Sequence, residues 1–70
     1  NSLIIFPNPA SNTITIQSEI KIDALIEIFN VMGEKVISLQ GQKEDIDISM
    51  LKSGVYFVKV GNHSQKLIIN

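Results

Sequence analysis

The chain has 70 residues, 44% of them apolar, with a net charge of −1 and no cysteine. That length makes one domain without disulfide or thiolate metal site, and one histidine cannot build a zinc site unaided. The near-neutral charge, scarce aromatics and lack of a long basic run argue against nucleic-acid binding, and no apolar run approaches the ~20 residues of a membrane-spanning helix.

A domain this small buries only about 60% of the surface its unfolded chain exposes. Its core supplies about 3–5 kcal/mol, so stability rests on apolar packing alone. Thirteen isoleucines point to sheet, because a side chain stiff at χ1 suits a pleated surface. Seven short extended segments follow one another, with turn signals about every ten residues. The first is Leu3 to Phe6, ended by Pro7-Asn8-Pro9. Each proline fixes its own φ, lacks an amide donor and pushes the residue before it out of the α region, so no helix forms there. The second is Thr13 to Gln17, with Ile14 and Ile16 inward and threonines outward; Ile20 and Ile22 continue that alternation after a bend at Ser18-Glu19. The third runs Ala24 to Asn30, with Ile26 and Ile28 on one face and Glu27 and Phe29 on the other. Val31 to Glu34 is a turn in which Gly33 takes positive φ. The fourth is Lys35 to Leu39, closed by Gly41. The fifth is Glu44 to Ile48, with Ile46 and Ile48 inward and Asp45 and Asp47 outward. Ser49 to Gly54 suits a helical turn capped by Ser49 and ended by Gly54. The sixth is Val55 to Val60, and Gly61-Asn62-His63 forms a tight hairpin connection to the seventh, Gln65 to Ile69. The expected fold is all-β, a small seven-stranded antiparallel immunoglobulin-like β-sandwich. Tyr56 stands where such sandwiches place a corner tyrosine, at the start of the penultimate strand, its hydroxyl bonding back to the backbone upstream.

Four motifs in order carry a resemblance over essentially the whole chain: Phe6-Pro7-Asn8-Pro9, Gly33-Glu34-Lys35-Val36, Leu51-Lys52-Ser53-Gly54-Val55-Tyr56, and Lys66-Leu67-Ile68 at the end. Together they resemble the C-terminal sorting domain (type A) of cargo proteins of the bacterial type IX secretion system. The final Ile69-Asn70 departs from that family, which often finishes on basic residues. The resemblance implies a non-catalytic address. An attached cargo enters the periplasm by its own signal, and the outer-membrane translocon and a shuttle protein then recognise the domain. A sortase-like cysteine peptidase finally cuts upstream, leaving the cargo secreted or on the cell surface. On this reading residues 1–70 are a single C-terminal domain excised from a larger cargo protein, as a start at Asn1 rather than methionine suggests.

The residues themselves offer no catalytic constellation, and no cofactor or metal is expected. A Ser-His-Asp arrangement would need His63, which reads as a solvated turn residue. Glu44, Asp45 and Asp47 lack the glycine and oxygen-rich spacing of a calcium loop and read as a solvated strand face. Asn62-His63-Ser64 matches a glycosylation triplet, a weak three-residue signal. Gly33 and Gly54 are backbone necessities rather than phosphate cradles. Three features are candidates for recognition. Val55 and Phe57 lie opposite Tyr56, Val58 and Val60, and are either covered by a loop or exposed as an apolar patch. Lys66, Leu67 and Ile68 form either an ordinary paired strand or an edge that offers backbone groups to another chain. Phe6, Pro7, Asn8 and Pro9 form either a rigid link or a recognised turn. The alternative to a sorting signal is a small immunoglobulin-like spacer, or a carbohydrate- or protein-binding module attached to a secreted enzyme. The absence of tryptophan counts against carbohydrate.

Overall fold

The structure is a computed structural model that describes residues 3–18, 25–41 and 44–70. Ile20, Ile22 and Ala24, read above as strand residues, lie outside them. The described strands are β1 (Leu3–Phe6), β2 (Thr13–Ser18), β3 (Leu25–Asn30), β4 (Lys35–Gln40), β5 (Ile46–Asp47), β6 (Gly54–Val60) and β7 (His63–Ile69). They form a three-stranded sheet in the order β1-β2-β5 and a four-stranded sheet in the order β4-β3-β6-β7. Every strand pair is antiparallel. The fold is the expected small all-β sandwich.

Alternation places the core. From the smaller sheet and its edges Ile14, Ile46 and Ile48 are buried; from the larger, Ile26, Ile28, Val58 and Leu67 are, all in one cluster. Isoleucine and valine present branched carbons to both neighbours on a pleated face, which is how a short strand fills a thin core. Tyr56 joins this cluster at 8% exposure. Its Oη donates to the Lys52 carbonyl at 2.8 Å, the expected corner. The hydroxyl needs that acceptor because a buried donor without a partner is costly. Gly54, two residues earlier, has φ +152°, where a side chain is strained, and a Cβ there would meet the Tyr56 ring at 4.0 Å.

The β3–β4 turn is organised by one side chain. The carboxamide oxygen of Asn30 accepts from the Met32 and Glu34 amides at 2.9 and 3.0 Å, and its Nδ2 donates to Glu34 Oε1 at 2.7 Å. Gly33 takes φ +85°, as the sequence implied, and donates its amide to the Asn30 carbonyl at 3.0 Å.

Three local expectations need correction. The fifth strand is two residues long rather than Glu44 to Ile48, because Asp45 has φ +54° and breaks the extended path. The segment from Ser49 to Gly54 contains no helix. Ser49 caps nothing; Asp47 Oδ1 instead accepts from the Ser49 amide at 2.9 Å and its hydroxyl at 2.7 Å, an Asx-type turn that competes with helix. His63 is no turn residue: the connection is the pair Gly61-Asn62, and His63 opens β7 opposite Val60, half-buried.

Candidate recognition face

The inward alternation of β6 has an outward counterpart. Val55 and Phe57 are 36% and 42% exposed. Among the described residues no loop covers them. Cross-strand register assembles their surroundings. Phe57 pairs with Phe29 on β3 and with Lys66 on β7, and Val55 pairs with Ile68. Phe29 and Ile68 are half-buried in this layer. On the other side of β3 the ladder shifts, Phe29 facing Lys35, so that Val36 is the extra residue of a bulge. An apolar strip thus crosses the outer face from β4 to β7.

The charges that frame the strip are mostly positive. Lys59 lies opposite Glu27, whose carboxylate takes Lys35 Nζ at 3.1 Å. Lys66 lies beside Phe57. Lys35, Lys59 and Lys66 against Glu27 leave the face positive on a chain of net charge −1. Just past the end of β3, Val31 and Met32 are 69% and 79% exposed on the turn that Asn30 holds. Sequence reasoning missed this pair. Apolar residues before a turn glycine, next to an asparagine able to staple the turn, were the available signal.

The remaining candidates separate. Leu67 is fully buried and is a core residue. Phe6 is exposed on β1, opposite Thr15. Pro7 and Pro9 are exposed, and both X–Pro peptides are cis. Asn8 leaves the turn and reaches β7: its Nδ2 donates to the Lys66 carbonyl at 3.1 Å and its Oδ1 accepts from the Ile68 amide at 3.0 Å. Ala10 continues the contact as a parallel bridge to Ile69, donating to the Ile68 carbonyl at 2.7 Å and accepting from the Asn70 amide at 2.8 Å. β7 ends its sheet, and of the two readings of Lys66 to Ile68 the structure contains the covered one: Asn8 and Ala10 bond to its outward side.

Among the described residues no cluster of three or more His, Asp or Glu side chains is placed to hold a metal. Asp47 is committed to Ser49, whose hydroxyl and then its amide hold the carboxyl below its ordinary value, desolvation opposing weakly. No helix among the described residues is long and apolar enough to cross a membrane.

The chain is thus a small two-sheet β-sandwich with a tyrosine corner and an apolar, lysine-framed outer face. The sequence model of the family described as secretion system C-terminal sorting domain matches residues 4–70, and the chain belongs to that family. No curated protein matches the chain. A domain of this type IX family is an export signal rather than a catalyst.

Proposed function

We propose that the domain is the terminal address of a larger cargo protein, read by the type IX outer-membrane translocon and its shuttle protein through the outer face of the four-stranded sheet. The cargo passes through the periplasm before this step. A sortase-like cysteine peptidase then cuts upstream of the domain, and the cargo reaches the medium or the cell surface. The observation that carries the choice of face is the exposure of Val55 and Phe57 beside Phe29 and Ile68, framed by Lys59 and Lys66. Contiguous exposed apolar surface rimmed by polar residues marks an interaction site. The lysines favour a partner whose contact surface has an acidic rim, since complementary charge speeds encounter.

The test is a fusion of the domain to the C-terminus of a periplasm-directed fluorescent reporter in a host with a type IX system. The reporter is expected at the surface or in the medium. Retention of an intact, folded fusion in the periplasm would sink the reading and favour a spacer. Export of a Phe57→Glu fusion at the normal rate would leave the address intact but move its recognition away from this face.

A further inference from the structure

The outer strip does not stop where β3 stops. The outward residues of β3 are Glu27 and Phe29, and alternation makes Val31 the next. In the β3–β6 register Phe29 faces Phe57 and Asn30 faces Tyr56, so one further step sets Val31 opposite Val55. Val55 in turn faces Ile68. Ile68, Val55 and Val31 thus make an apolar row across β7, β6 and the end of β3, and Met32 follows at its free end. Further along the strands, Lys66 flanks the two phenylalanines, and Lys59 faces Glu27. The face is therefore graded: apolar beside the β3–β4 turn, aromatic and basic in the middle, charged toward the β6–β7 hairpin.

The apolar end is also the stiff end. Val31 and Met32 are the most exposed large apolar residues among those described, at 69% and 79%. Their turn is fixed by the Asn30 carboxamide, which holds the Met32 and Glu34 amides and the Glu34 carboxylate, and by the Gly33 amide on the Asn30 carbonyl. A tip whose backbone is already ordered loses less entropy on docking. We propose that Val31 and Met32 are the anchor of the recognition face, seated in an apolar pocket of a protein partner whose acidic residues lie on the side toward Lys66 and Lys59. Charge complementarity selects that partner. The Glu27 carboxylate is taken by Lys35 at 3.1 Å, whereas Lys59 and Lys66 are exposed and have no ion pair among the described residues. Asn30 is the positioning residue. The inference rests on the reading that the export machinery recognises this outer face, and it adds which end of the face is gripped.

The test is export of the reporter fusion, with folding and amide exchange of each variant 70-residue chain measured alongside. Met32→Glu is expected to slow export about tenfold or more, the loss that follows when an interface anchor is replaced by a charge, and to leave the melting temperature at the parent value. Met50→Glu is the control. Met50 is 63% exposed on the segment between β5 and β6, off the outer face, and its change is expected to leave export unaltered. Asn30→Ala is expected to slow export too, while the Met32 and Glu34 amides exchange about tenfold faster, the effect of one lost hydrogen bond each. Asn30→Asp keeps the acceptor for both amides and loses only the donor to Glu34, and it is expected to restore export and amide protection together. If Asn30→Ala does not fold, Met32→Glu against Met50→Glu decides alone. Export of Met32→Glu at the parent rate would overturn the anchor and leave the reading of the outer face standing. A parent fusion that never leaves the periplasm would remove that reading and the anchor with it. Equal losses for Met32→Glu and Met50→Glu would reduce the effect to general surface apolarity and overturn the proposal. So would sedimentation of the domain with phosphatidylglycerol vesicles that is lost in Met32→Glu, since it would assign the turn to a lipid surface.

Discussion

The two faces of β6 differ by one residue in register and by everything in environment. Tyr56, Val58 and Val60 are buried; Val55, Phe57 and Lys59, interleaved with them, are exposed. A single strand thus divides its labour. One face holds the sandwich together, and the other is free to vary without touching the fold. For a domain with only a few kcal/mol of stability, this separation matters: a recognition surface built from core residues would leave no substitution that tests recognition alone.

The sharpest way to break the comparison is from the inside. Val58→Ala removes two buried carbons from a fully enclosed site and is expected to cost about 2–3 kcal/mol by transfer and cavity terms together. Urea unfolding measures it, and a loss well under that range would mean the core collapses into the gap. Tyr56→Phe comes next. It removes the bond to Lys52 and leaves that carbonyl short of a partner, for about 0.5–1.5 kcal/mol. The melting temperature should fall; an unchanged value would mean that the corner contributes nothing. On the outer face, Phe57→Glu loses its cross-strand contact with Phe29 and is expected to cost no more than about 1 kcal/mol, and Lys66→Glu is expected to stay within about 0.5 kcal/mol of the parent. Their effect is expected in export of a fused reporter, and a large stability change in either would erase the distinction between the faces.

The smallest expected effect lies at the β5 turn, away from both faces. Ser49→Ala removes the hydroxyl donor and should let the Asp47 carboxyl rise toward its ordinary value, which a carboxylate NMR titration follows. The sign is fixed by the depressed folded value. The stabilisation is fully present above pH 3.8, the unperturbed value, and fades as pH falls through the lower folded one. An Asp47 titration that does not move would show that the amide of Ser49 suffices.

What was legible in the sequence was local. Thr13 to Gln17 and Val55 to Val60 announce themselves because period two needs no knowledge of a partner strand. Tyr56 was legible because its acceptor, Lys52, lies four residues back. Asn30 and Asn8 mark the boundary. Both organise backbone with one carboxamide, but Asn30 does so within its own turn, whereas the partners of Asn8 lie 58 and 60 residues away. Nothing near Asn8 specifies Lys66 and Ile68, so the segment read as either a link or an epitope and its bond to β7 stayed hidden. The positive φ of Asp45 was hidden too, since aspartate adopts it only occasionally and the neighbouring alternation favoured a longer strand. The exposure of Val55 and Phe57 required the third dimension, because periodicity shows that two faces differ and not what lies over either.

The bonds from Asn8 and Ala10 to β7 also decide how the molecule answers to force. They join the beginning of the chain to its end, and the bridge is parallel. Tension between the two ends therefore slides the segments past each other, and the four bonds bear load together rather than opening one by one like a zipper. A domain pulled from its ends should yield abruptly at this clamp. Single-molecule stretching is expected to show a lower rupture force for Asn8→Ala than for the parent, and an equal force would locate the mechanical barrier elsewhere in the sandwich.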